Sequence, residues 1–364
     1  MIQNFKISDL ARCTLCAAAS VFIALSAISC EKSSEQADER QPEPAIVSLS
    51  IVPETRAFGN THGIQSDDNL VQTLEFFIFR AEGTDAGVLD TYKKLEGAEL
   101  SSLSNIEIQS TTGAKLIYAV ANSHNTDWTG VKTFTDFEAR VSELHNEDLK
   151  NFTMTGSIEV VLQVSTSVAF SISRLVARIG LTGIKTDFAG TPYEGSELKN
   201  VKVYVTNVYA NKRYSSGANA TTPIFYNYKK AVAQDINLCT ISGMLYDEVA
   251  NNISDAGYTV PHYFYCYENM LENETPDKRF TRLVIQGDLN GHTYYYPINI
   301  NREGFGYSAA NGHLGVKRNT SYSLDVTICR PGSTDPDDIL EYGVLTASLN
   351  VLDWVTVPVV YVNF

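Results

Sequence analysis

Residues 45–53 read AIVSLSIVP. Val47, Leu49 and Ile51 fall on one side of an extended chain, and Ser48 and Ser50 fall on the other. That period of two describes a strand with one face buried. The stretch between this strand and Gly59 is Glu54-Thr55-Arg56-Ala57-Phe58, and Asn60 to Asn69 is polar. An arginine between a strand and a polar loop is accessible to an arginine-specific protease.

Upstream of the strand the chain reads as an export signal. Lys6 and Arg12 precede an uncharged, small-residue run from Cys13 to Ser29, which closes as Ala27-Ile28-Ser29-Cys30. A basic start followed by a short apolar run is a secretory pattern, and the run is too short to be read as a membrane span. The closing box makes Cys30 a lipidation site, with simple secretory cleavage near Ala27 as the alternative. Glu31 to Glu43, charged, Gln/Ser-containing and punctuated by Pro42 and Pro44, reads as a flexible tether.

Downstream of the loop, short apolar or alternating runs recur between turn residues. They are Leu74–Phe79, Lys115–Ala121, Ile158–Val164, Val168–Ile172 and Leu175–Leu181, then Val201–Val208, His262–Tyr267, Arg282–Gln286, His292–Asn299, Tyr322–Cys329 and Leu345–Val351. Many short strands with few helical patterns predict a mainly β protein built as sandwiches. The spacing of Phe134, Phe137, Val141 and Leu144, with Thr135 and Glu138 placed as a capping box, predicts a helix from Thr135 to about Asp148, and a second short helix is expected between Asn237 and Asn251. The Gly/Pro/Thr-rich segment after Leu181 sets the domain boundary between residues 185 and 186. The resulting organisation is a signal peptide (1–29), a tether with the first strand (30–56), an N-terminal sandwich (57–185), a C-terminal sandwich (186–354) and a tail (355–364).

The tail, VTVPVVYVNF, carries no charged side chain. Val355, Val357, Val359 and Tyr361 share one face of an extended chain. An unpartnered strand of this composition is an aggregation hazard unless something covers it. Its alternating aliphatic face matches that of Val47, Leu49 and Ile51, so one strand can stand in for the other. Pro358 has no N–H to give a ladder and is expected at a bulge or beyond the partner strand.

Composition limits the functions available. The whole chain carries a formal charge of −14, and the part beyond Arg56 keeps 23 basic against 35 acidic residues. This excludes nucleic acid as the main partner. Cys239, Cys266 and Cys329 are widely spaced and read as free thiols. The six histidines are scattered, no hydrolase motif occurs, and neither a metal, a cofactor nor an enzymatic activity is expected. The acidic run Asp335, Asp337, Asp338 and Glu341 lacks calcium-loop spacing and reads as a solvated hairpin loop. Tyr263, Tyr265 and Tyr267, with Tyr294 to Tyr296, raise the alternative of stacking on sugar rings, as in a monomeric lipoprotein that binds a glycan or host ligand.

The lipoprotein-like start, the strand leading into Thr55-Arg56-Ala57-Phe58-Gly59, the strand at Lys115–Asn122, the Ser173–Ile179 segment and the tail after Asp353-Trp354 together resemble the fimbrillins of Bacteroidales. The resemblance implies two transthyretin-like β-sandwiches and a stalk subunit of a cell-surface fimbria. It also implies lipid attachment at Cys30, cleavage between Arg56 and Ala57 by an arginine-specific protease, and removal of the strand bearing Val47, Leu49 and Ile51. A neighbouring subunit's tail, through Val355, Val357, Val359 and Tyr361, would then fill the vacated groove. Implied partners are other copies or homologous subunits, the protease, the lipid anchor of the precursor and a host or bacterial ligand. A tip or anchor position in the fimbria is the alternative within this class.

Overall fold

The computed structural model describes residues 42–53, 70–124, 126–215, 223–239, 243–340 and 343–353. Cys30, Arg56, Ala57, Trp354 and the 355–364 tail lie outside the described residues, as do the signal and the tether up to Gln41.

The first part of the chain supplies β1 (Pro44–Pro53), β2 (Thr73–Arg80), β3 (Leu89–Glu96), β4 (Ile106–Thr111), β5 (Gly113–Ala121), β6 (Val141–Glu143), β7 (Met154–Leu162) and β8 (Ser165–Arg174). Seven of these form one sheet in the order β3-β2-β5-β7-β8-β1-β4. The sheet folds at the β7–β8 step, where pairing is reduced to Met154 with Arg174 and Thr155 with Ser173. Gly156 makes this corner possible, since a Cβ there would lie 2.0 Å from the carbonyl oxygen of Ser171. The two halves enclose a core of alternate residues, including Leu74, Phe76 and Ile78 of β2, Ile117 and Ala119 of β5, and Val168, Phe170 and Ile172 of β8.

The remaining strands are β9 (Val176–Thr186), β10 (Lys199–Thr206), β11 (Val208–Tyr209), β12 (Asn211–Arg213), β13 (Phe225–Tyr226), β14 (Tyr246–Glu248), β15 (His262–Tyr267), β16 (Arg282–Leu289), β17 (His292–Asn299), β18 (Thr320–Ile328) and β19 (Leu345–Asp353). Eight of them build a second sandwich from the sheets β14-β10-β16-β17 and β15-β9-β18-β19, while β11 pairs with β13 and β12 with β6. The expected boundary at 185/186 is therefore corrected. β9 pairs with β15 and β18, so the chain changes sandwich at Leu175, directly after β8.

The two sandwiches share packed surface. Phe77, Phe79, Tyr118 and Val120 point away from the first core and join the larger cluster that also contains the second core. The helix α1 (Phe134–Glu138) lays Phe137 on this face, 4.7 Å from the Phe77 ring. It is shorter than the sequence pattern predicts, and its capping box is Thr133 with Asp136 rather than Thr135 with Glu138. Val141 to Glu143 leaves the helix because it pairs as β6 with β12 in a separate two-stranded sheet, a long-range ladder that local periodicity does not reveal. The second helix, α2 (Ala233–Leu238), begins before the expected segment. Arg318 fastens the junction, donating to the carbonyl of Arg174 at 2.8 Å, to Thr155 Oγ1 at 3.1 Å and to the Ser173 carbonyl.

Candidate functional site

β1 is an interior strand of the sheet. On one side it runs parallel to β8, from Ile46 opposite Ser165 to Pro53 opposite Ile172. On the other it runs antiparallel to β4, from Pro44 opposite Thr111 to Leu49 opposite Ile106. Beyond β4 the pairing continues through Ile51 N–H, which donates to the Leu103 carbonyl at 2.8 Å. At the other end Thr112 N–H donates to the Glu43 carbonyl at 2.8 Å. Pro44 and Pro53 occupy the two ends of the strand, where the missing N–H leaves the interior of the ladder intact.

The side-chain pattern follows from the register. Val47, Leu49 and Ile51 are 0% exposed and belong to the first core. Opposite them on β4 lie Ile108 and Ile106, and the core-facing position opposite Ala45 is Ser110. Burying three aliphatic side chains of this size contributes about 5–9 kcal/mol gross, at roughly 1.5–3 kcal/mol each. Removing the strand would leave an extended groove between β4 and β8, with Leu74, Phe76, Ile78, Ile117 and Ala119 contributing to the same core. Because β1 is joined onward only through the segment after Pro53, one peptide-bond cleavage there severs it from all later strands.

One wall of this groove escaped the sequence reading. β4 is IEIQST, with Ile106 and Ile108 buried and Glu107 and Gln109 exposed. The signal was the strict alternation, obscured by the brevity of the strand. β4 is anchored by a polar cluster centred on Asp90 of β3. The Asp90 carboxylate accepts from Ser110 Oγ at 2.6 Å, Thr111 N–H at 3.0 Å and Thr111 Oγ1 at 2.9 Å. Lys115 Nζ lies 3.3 Å from it and donates to Thr111 Oγ1 at 2.8 Å, while Arg80 Nε lies 3.1 Å away. The Asp90 and Lys115 side chains are 3% and 2% exposed. Burial alone would raise the Asp90 pKa, but the hydroxyls of Ser110 and Thr111, the Lys115 charge and the Thr111 amide hold it at about 2. Burial pushes the Lys115 ammonium down, against the pull of Asp90.

The other residues singled out by sequence have structural surroundings. Tyr265, Tyr267 and Tyr296 are buried, and Tyr263 packs with the Arg178 guanidinium 5.0 Å from its ring centre. Three of the six tyrosines are thus interior packing, and Tyr263, Tyr294 and Tyr295 are half-buried. Asp337 is not in a solvated loop role alone: it pairs with Arg282 and, at 3.2 Å, with Arg279. Among the described residues no group of three or more His, Cys, Asp or Glu could hold a metal ion. Cys239, Cys266 and Cys329 are free thiols.

The chain is a two-sandwich β protein whose first described strand lies in the interior of its own first sheet. Comparison with known proteins identifies the family. Residues 45–224 match the family model described as Major fimbrial subunit protein (FimA), a match that begins within β1. The chain is 25% identical over 342 residues to the Major fimbrium subunit FimC of Porphyromonas gingivalis, covering 92% of this chain and 68% of that protein. It is 24% identical over 344 residues to the Putative fimbrium tip subunit Fim1C of Parabacteroides distasonis, covering 85% and 86%. The fold is shared with a putative cell adhesion protein from Parabacteroides distasonis (TM-score 0.62, 21% identity, 88% of this chain and 98% of that one). It is also shared with a fimbrilin (FimA) from Porphyromonas gingivalis (TM-score 0.61, 20% identity, 86% and 98%). The chain belongs to the Bacteroidales fimbrillins and is a fimbrial subunit.

Proposed function

We propose that this chain is a stalk subunit that polymerises by exchanging β1 for a neighbour's tail. It is exported as a lipoprotein acylated at Cys30, cut between Arg56 and Ala57 by an arginine-specific protease, and joined into an extracellular fimbrium that supports adhesion. The observation that carries the reading is the position of β1: an interior strand with Val47, Leu49 and Ile51 in the core, severable by one cut after Pro53. The incoming strand would be drawn from Val355 to Phe364, with Val355, Val357, Val359 and Tyr361 repeating the alternation of β1. Ten extended residues span about 33 Å at roughly 3.3 Å each, comparable to the length of β1. Backbone pairing on both sides would give slow dissociation, as in other strand-complemented assemblies. Similarity to a putative tip subunit supports a second reading, a position at the fibre end; the tail, a strand to donate, favours the stalk.

The test treats a precursor spanning residues 31–364 with an arginine-specific protease beside a copy ending at Trp354. The expected result is a new N-terminus at Ala57 and a ladder of oligomers that resist mild detergent, absent from the shortened copy. Monomers from both after cleavage would refute polymerisation by strand exchange. Ladders formed equally by both would refute the tail as donor.

A further inference from the structure

β4 depends on β1 for its backbone pairing. Among the described strands β1 is its one ladder partner, and its other edge faces β3 without a backbone ladder. That second edge is spanned instead by side chains. Thr91 Oγ1 donates to the Gln109 carbonyl at 2.9 Å, and Lys93 Nζ donates to the Glu107 carbonyl at 3.0 Å. At the Thr111 end the Asp90 carboxylate takes both hydroxyls and one amide of β4. None of these bonds involves an atom of β1, so all of them can persist when β1 is gone.

We propose that Asp90, assisted by Lys115, Thr91 and Lys93, is a clamp that holds β4 in place while the groove is empty, so that an incoming strand meets a preformed wall. This rests on the reading that β1 is exchanged. A strand released on both edges would regain backbone freedom, and each entering strand would have to order it again, which weakens capture. The residues named are positioning residues. A buried Asp–Lys pair with a merely structural role would stabilise the intact precursor and the cleaved subunit alike, whereas a clamp matters most after β1 has left.

The test uses the full chain, cleaved after its first strand, and a fluorescent peptide of Val355 to Phe364 in excess. Ser110→Ala combined with Thr111→Val removes the two β4 hydroxyls and leaves the Asp90–Lys115–Arg80 pairing; Thr111→Ser alone retains the hydroxyl. The clamp predicts that the double variant captures peptide at least tenfold more weakly than wild type after cleavage, that Thr111→Ser captures like wild type, and that the double substitution lowers the melting temperature of the cleaved subunit by more than it lowers that of the intact precursor. Equal capture by the double variant and wild type would overturn the clamp and leave strand exchange standing. No capture by cleaved wild type would overturn both. Should the double variant fail to fold, hydrogen exchange at Thr111 N–H of the cleaved wild type decides: retained protection supports the clamp, and lost protection overturns it.

Discussion

At the scale of single residues, the first strand separates the stability of the precursor from the behaviour of the mature subunit. Leu49 is buried among aliphatic neighbours, so Leu49→Ala should destabilise the intact precursor by about 2–5 kcal/mol. Denaturant unfolding before and after proteolysis checks this: once β1 is removed the substitution should have no effect on assembly. Asp90 makes a second prediction. Its folded pKa, about 2, lies below the ordinary aspartate value of 3.8, so the folded state binds its proton less readily than the unfolded chain does. The stabilisation is complete above the unfolded value and is lost as pH falls from about 4 through 2. Asp90→Asn should therefore flatten the acid limb of a stability–pH curve in that window, with Ser110, Thr111, Lys115 and Arg80 still facing the position. Thiol chemistry provides a third test. Burial pushes the Cys239 and Cys266 thiols up to about 12, and Cys329 is partly exposed. In a chain starting at Glu31, a thiol reagent should label Cys239 and Cys266 only after denaturation.

At the scale of elements, β1 and β4 form the functional pair, and sequence revealed only one of them. Val47, Leu49 and Ile51 announce β1 because three aliphatic residues alternate with small polar ones. β3 reads as LDTYKKLE, a charged string, because it is an edge strand with much of its surface in solvent. The helix predicted from Thr135 to Asp148 stops at Glu138 because Val141 to Glu143 gains a ladder with Asn211 to Arg213. Local spacing cannot anticipate a partner so distant in sequence. Loss of β1 exposes the β4 and β8 edges and much of the first core. Cleavage with release of the leader should therefore lower the melting temperature, and the Val355–Phe364 peptide should restore it by mass action. Differential scanning fluorimetry across a peptide titration measures both; an unchanged melting temperature on leader release would contradict the role of β1 in the core.

At the scale of the whole molecule, the two sandwiches behave as one packed body. Phe77 and Phe79 of the first join a cluster with Phe264 and Tyr267 of the second, and Phe152 lies 5.1 Å from Tyr265 across the junction. Glu147 is buried there, accepting from Tyr267 OH at 2.8 Å, Thr153 N–H at 2.8 Å and Ser142 Oγ at 3.1 Å. The precursor should accordingly unfold in a single calorimetric transition. Arg318→Met removes the donors to Arg174, Ser173 and Thr155 and should lower that transition, broadening or splitting it as the sandwiches uncouple.

Sequence alone determined the β class, the burial pattern of the first strand, the absence of a metal-ligand spacing and the family resemblance, because each is written in local alternation or in short motifs. Only the tertiary structure decided that β1 lies between β4 and β8, that β9 belongs to the second sandwich, and that Asp90 reaches β4. Those facts depend on which strands meet across long stretches of chain. An aspartate on a charged edge strand and a lysine at the start of an apolar one carry no local mark of their pairing; their meaning appears when the fold removes both from water and sets them 3.3 Å apart.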